Sequence, residues 1–108
     1  VIAHLLLEPT HLNSKSTLHG SVSATIVDWA GGMAIASTGR ENGTGVSVDI
    51  HVSYVSAARD GETIEIEAWV NRTGRSLAYT QVEIRKATSD GTKGNIVATG
   101  SHTKYLAV

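Results

Sequence analysis

The hydrophobic pattern of this chain changes period once, and that change limits the folds open to it. From Gly20 to about Ser37 the apolar residues recur at helical spacing. Val22, Ile26, Trp29 and Met33 lie 4, 3 and 4 residues apart, which puts them on one helical face. After the glycine-rich turn Gly39 to Gly45 the period becomes 2. Val46, Val48, Ile50, Val52 and Tyr54 alternate with Ser47, Asp49, His51 and Ser53, the pattern of a half-buried strand. Past the turn Arg59-Asp60-Gly61, Glu62, Ile64, Ile66, Ala68 and Val70 alternate with Thr63, Glu65, Glu67 and Trp69 as a second strand. Thr73-Gly74-Arg75 reads as a hairpin turn into Ser76 to Lys86, where Ala78, Thr80, Val82 and Ile84 share one face. Turns at Ser89-Asp90-Gly91 and Lys93-Gly94 lead into a last strand from about Asn95 to Tyr105. Ahead of the helix, Ile2 to Glu8 forms a short strand closed by Pro9-Thr10, and His11 to Leu18 a polar loop.

One strand, one helix and four antiparallel-looking strands define an α+β chain. Both apolar surfaces are buried most simply by a curved antiparallel β-sheet wrapped around one long central α-helix. The 108 residues fit a single domain over 1–108, with the N-terminal side left open because the chain begins at Val rather than Met. Phe is absent, so the core must be built from Val, Ile, Leu and Ala. The small residues Ala24, Ala30, Gly31, Gly32, Ala34 and Ala36 would let a neighbour approach the helix closely. Each interior Gly costs about 1 kcal/mol relative to Ala, which implies either a packing reason or an earlier helix end.

Composition narrows the function classes. With no Cys there is no disulfide frame, thiolate metal site or Cys nucleophile, which fits a reducing compartment. An intracellular location, cytoplasmic or mitochondrial, is expected. A net charge of -1 argues against a nucleic-acid partner, and no apolar run approaches the ~20 residues of a membrane span. The histidines His4, His11, His19, His51 and His102 show no His-x-x-x-His pair with attendant carboxylates, so no metal is expected.

The junction His11-Leu12-Asn13-Ser14-Lys15-Ser16-Thr17-Leu18-His19-Gly20 is the most informative segment. A helix starting near Gly20 leaves its first N–H groups unpaired, with partial positive charge directed outward. Such an end either simply begins a helix, or holds a carbonyl oxygen that gains negative charge during attack. Asp28 lies in mid-helix among apolar and small neighbours; it is either an ordinary solvated carboxylate or a base kept in an apolar pocket. Gly20 and Asp28 are eight residues apart, about 12 Å along a straight helix at about 1.5 Å per residue. Catalytic contacts need about 3 Å, so if both act on one carbonyl they come from different chains. Such a site implies a dimer of antiparallel helices.

The motifs His11-Leu12-Asn13, Leu18-His19-Gly20 and Val27-Asp28 resemble the active-site region of hotdog-fold acyl-CoA thioesterases. The likeness is to the thioesterase superfamily member 2 type, related more broadly to bacterial phenylacetyl-CoA thioesterases. Gly45-Val46-Ser47-Val48-Asp49, Gly74-Arg75-Ser76-Leu77-Ala78-Tyr79 and His102-Thr103-Lys104 resemble the same group, and the likeness runs from about Leu7 to Leu106. It implies the hotdog fold, in which a curved sheet wraps one helix, and hydrolysis of acyl-CoA to a free carboxylic acid and CoA. The Gly20 amide would polarise the thioester carbonyl, and Asp28 of the partner chain would act as general base or as nucleophile. Asn13 would position substrate or water beside Gly20, and Ser47 would do so beside Asp28. His19 would shape the loop or contact substrate. Where many relatives carry a second Gly after His-Gly, this chain has Ser21, which is expected to change rate or pocket shape.

Two guanidinium groups at the turn, Arg72 and Arg75, suit the phosphates of CoA; the alternative is a hairpin turn with solvated charges. His102 and Lys104 are expected to add to that patch, and Tyr54 to serve in packing or the pocket wall. No cofactor is implied beyond the CoA carried by the substrate. The partner is a second copy of the chain, in a dimer at least and in a dimer of dimers by resemblance. The other reading is a non-catalytic acyl-CoA or fatty-acyl binding module on the same fold. A hydratase or dehydratase fits less well, since no His base pairs with a helix-borne carboxylate in that pattern.

Overall fold

The computed structural model describes residues 1–40 and 43–106. The central part of the predicted turn at residues 41 and 42 lies outside the described residues. Among the described residues five strands are formed: β1 (Ile2–Leu6), β2 (Val46–Tyr54), β3 (Thr63–Thr73), β4 (Leu77–Lys86) and β5 (Ile96–Tyr105). One α-helix among them, α1 (Gly20–Ala36), follows a 3-10 turn at Pro9–His11. The strands pair antiparallel in the order β1-β3-β4-β5-β2, so β1 and β2 are the edges. The helix packs on one face of this sheet and contacts β3, β4, β5 and β2. The five-stranded sheet with its one helix is the hotdog architecture.

Strand alternation decides which side chains meet the helix. Ile64, Ile66 and Ala68 on β3, Ala78, Thr80, Val82 and Ile84 on β4, and Ala98, His102 and Lys104 on β5 are all buried. The core is aliphatic, gathered around Leu7, Val27, Ile64, Val82 and Ile84.

The helix buries a face rotated from the one its large residues suggest, keeping Ile26 and Val22 against the core but not Trp29 and Met33. Its buried positions are Ser23, Ile26, Val27, Ala30, Gly31, Ala34 and Ile35, whereas Trp29 and Met33 are 49% and 40% exposed. The sheet sits too near the helix axis for large side chains. A Cβ on Gly31 would lie 2.7 Å from Thr80 Oγ1 and 2.8 Å from His102 Nδ1. Across the same contact, a Cβ on Gly100 would lie 2.6 Å from Val27 Cγ2. The interior Gly31 therefore has a packing reason, and the stripe of small residues is the one that meets the sheet.

Two irregularities break the strict alternation read from sequence. In β2 the register against β5 shifts between Ser47 and Asp49, with Ser47 opposite Lys104, Asp49 opposite Thr103 and Ile50 opposite His102. The extra residue, Val48, turns Ser47 onto the helix-facing side that it shares with Ile50, instead of the outer side with Asp49. In β3 a shift between Val70 and Arg72 pairs Arg72 with Tyr79. That moves Arg72 to the outer surface.

The helix ends are closed by side chains. His19 caps the start through Nδ1, and Ser37 and Thr38 return their hydroxyls to the carbonyls of Ala34 and Ile35 at 2.7 and 2.6 Å. Unlike its expected half-buried state, β2 is exposed almost throughout, with Val46, Val48, Ile50 and Tyr54 between 40% and 61% accessible. Among the described residues it pairs with β5 alone and is an edge strand. The Gly31 contact gives a direct test. Gly31→Ala should lower stability by about 1–3 kcal/mol in urea denaturation, despite the better helix propensity of Ala, because the added methyl overpacks the contact with His102 and Thr80.

Candidate active site

The first half of the site is the start of α1. Ser21 N–H donates to His19 Nδ1 at 3.0 Å, and the N–H groups of Val22 and Ser23 donate to the His19 carbonyl. The Gly20 N–H has no acceptor among the described residues. It is thus an unpaired donor at the positive end of a 17-residue helix. Tyr54, on β2, donates its hydroxyl to the Gly20 carbonyl at 3.2 Å, and its ring lies 3.3 Å from where a Gly20 Cβ would stand. Any side chain at 20 would crowd that ring. A cavity of about 260 Å³ opens beside this end, lined by Thr17, Leu18, Ser23, Tyr54, Val55 and Val97 among others.

His19 acts as the helix cap. A backbone N–H can only donate, so Nδ1 is the acceptor and the neutral ring carries its proton on Nε2. The Ser21 hydroxyl also reaches Nδ1, at 2.8 Å. The side chain added at Ser21 is therefore absorbed into the cap.

Asn13 sits on the loop folded back onto this helix start, through the Leu12–Leu18 bridge and a bond from His19 N–H to the His11 carbonyl. Asn13 Oδ1 accepts from Lys15 N–H, Thr17 N–H and Thr17 Oγ1 at 2.9, 3.2 and 3.1 Å. Those donors fix the amide orientation: the oxygen holds the loop, and the NH₂ remains a donor.

The second half lies two turns down the helix. Asp28 keeps its side chain 57% exposed, with Oδ1 3.8 Å from His102 Nε2. The same nitrogen lies 2.7 Å from Ser47 Oγ, and His102 Nδ1 lies 3.1 Å from the Asp28 carbonyl oxygen. Ser47 and Asp28 are thus brought to one imidazole within one chain. Gly20 and Asp28 are joined by unbroken helix, which separates them by about 12 Å.

His102 and Lys104 do not join the arginine turn. His102 is fully buried under α1, and Lys104, 8% exposed, extends Nζ to Thr44 Oγ1 at 3.2 Å beside Gly32. Both occupy helix-facing positions on β5, whereas the β3 bulge turns Arg72 outward. Arg72 and Arg75 remain together around a cavity of about 230 Å³ with Gly74, Ser76, Leu77 and Tyr79. The expected four-residue patch is therefore two separate places.

Sequence reasoning missed the inward part that His102 plays, although a signal was present. It shares the buried parity of β5 with Ala98 and Gly100, where an imidazole must find partners. Among the described residues no three His, Asp or Glu side chains gather as a metal site, and no helix is long and apolar enough to cross a membrane.

The chain belongs to the thioesterase superfamily, whose family profile matches residues 15–93. It is 43% identical to human acyl-coenzyme A thioesterase 13 over 107 residues, covering 98% of this chain and 72% of that protein. The mouse protein of the same name is 39% identical over 106 residues, with 98% and 72% covered. The crystal structure of zebrafish thioesterase superfamily member 2 superposes with a TM-score of 0.86 at 38% identity, covering 98% of this chain and 73% of that one.

Burial is the main cause that holds the His102 pKa below the usual 6.5, and Lys104 adds to it. The Asp28 carboxylate and carbonyl, and Asp49 least of all, oppose the shift without cancelling it. The unfolded chain therefore binds more protons than the folded one between the two pKa values, so stability rises with pH there. The contribution is complete above about 6.5 and is lost as pH falls through the folded value. Melting temperatures from pH 8 to pH 5 should fall on the acid side, and His102→Gln should flatten that slope.

Proposed function

We propose that this chain hydrolyses acyl-CoA thioesters to a free carboxylic acid and CoA, in sites shared between two copies. The carrying observation is that one rigid helix holds the unpaired Gly20 amide and Asp28 about 12 Å apart, while Ser47 on β2 meets Asp28 at the His102 ring. One carbonyl cannot touch both within a chain. With two helices antiparallel, the Gly20 amide of one chain polarises the carbonyl while Asp28 of the other activates water as general base. Asn13 donates from its NH₂ beside Gly20, and Ser47 orients the water beside Asp28. The thioester carbonyl is electrophilic enough for one aimed helix end and one carboxylate to hydrolyse it. The names of the human and mouse relatives support this substrate class.

The exposed apolar edge of β2, together with Trp29 and Met33 on α1, supports association with a second copy. Arg72 and Arg75 provide paired guanidinium groups for the CoA phosphates, outside the reacting centre.

Shared sites have a distinctive signature. Asp28→Ala and Asn13→Ala should each lower kcat, the former by about 10²- to 10⁴-fold. Mixed dimers of the two variants should regain activity, because one of their two sites then has both residues intact. Activity that is not regained in mixed dimers, or normal turnover in Asp28→Ala, would overturn the reading. The binding-module alternative predicts saturable acyl-CoA binding without release of CoA. Neutralising the turn in Arg72→Gln/Arg75→Gln should raise KM for acyl-CoA by about tenfold or more with little change in kcat, as expected for binding made equally in ground and transition states.

A further inference from the structure

We infer that His102 is a positioning residue that fixes the Ser47 hydroxyl as a hydrogen-bond acceptor for the attacking water. The inference rests on the reading that Asp28 activates that water, and it assigns the direction of each proton around it. His102 Nδ1 faces the Asp28 backbone carbonyl at 3.1 Å. A carbonyl only accepts, so Nδ1 carries the proton and the neutral ring presents a bare Nε2. Ser47 Oγ, at 2.7 Å from that nitrogen, must donate its hydroxyl proton to it. Both lone pairs on Ser47 Oγ are then left to accept.

The neighbouring Asp28 Oδ1, 3.8 Å from the same Nε2, is also an acceptor. Ser47 and Asp28 are both exposed, so water reaches them. A water held between them gives one O–H to each, which leaves an oxygen lone pair free to attack. If Ser47 instead donated to Asp28 or to the water, the carboxylate or that lone pair would be occupied.

The imidazole cannot easily rotate out of this arrangement. It is fully buried beneath α1, with Nδ1 2.8 Å from where a Gly31 Cβ would stand. Thr80 Oγ1 donates to the His102 carbonyl at 2.7 Å and steadies its backbone. The charged groups that act on it are Asp28 on α1 and Lys104 on β5, with Asp49 on the outer side of β2, while β4 contributes the uncharged Thr80. Burial and Lys104 favour the neutral ring that the arrangement requires. Protonation would place a proton on Nε2 and turn the Ser47 proton outward, so turnover should fall on the acid side.

The test combines a spectroscopic and a kinetic arm. Nitrogen-15 NMR of the histidine-labelled wild-type protein at pH 7.5 should show His102 protonated at Nδ1 and bare at Nε2. The opposite tautomer, or a charged ring, overturns the proposal without reference to activity. Ser47→Ala and His102→Ala should each lower kcat by about 10- to 100-fold with KM little changed, the loss expected for one hydrogen bond that acts in the transition state. The double variant should be no slower than Ser47→Ala alone, and His102→Gln, which keeps an acceptor toward Ser47, should recover part of the rate. Additive losses overturn the proposal, as does a trapped acyl ester on Ser47, which would make that residue the nucleophile. Asp28→Asn is measured in parallel: full activity there removes the general-base reading, while the tautomer still reports on His102 separately.

Discussion

The close seating of α1 on the sheet is the contact on which the rest of this molecule depends. Gly31 lies against Thr80 and His102, and Gly100 lies against Val27, at distances that leave no room for a Cβ on either glycine. That closeness lets the His102 ring reach the Asp28 carbonyl across the helix–sheet boundary. It also leaves Asp28 on the flank of the buried stripe, where its side chain is exposed yet lies beside His102. A helix held farther away by larger residues would lose both relations together.

The two halves of the candidate site are held by different physics. At the start of α1 the geometry comes from the backbone: an uncapped Gly20 amide, a His19 cap that takes up the next N–H, and a loop locked by Asn13 Oδ1. Two turns later it comes from side chains, with Ser47 and Asp28 gathered on a buried imidazole. The helix is a rigid spacer between them. Its rise makes each half incomplete for a single carbonyl, which ties the proposed chemistry to association along the exposed surface of β2 and α1.

Bulges matter as much as strands here. Val48 turns Ser47 toward His102, and the shift after Val70 turns Arg72 away toward Tyr79. Without them, alternation would leave Ser47 on the outer surface with Asp49 and would aim Arg72 at the helix. The separation of the arginine pair from His102 and Lys104 follows from the same shift, together with the burial of both β5 residues.

The element order, the aliphatic core on β3 and β4, the likeness that points to Gly20 and Asp28, and the distance between those two were all legible in the sequence. Each depends on local periodicity, motif order or helix rise, which the chain carries residue by residue. The tertiary structure alone decided which helical stripe is buried, because packing distance favours Ala30, Gly31 and Ala34 over Trp29 and Met33. It also decided the side of the sheet that Ser47 takes, because a bulge is set by register against β5 and not by the alternating pattern of β2. The inward part of His102 belongs to the same class: an imidazole acquires its tautomer from partners, and those partners lie 55 and 74 residues away in the chain.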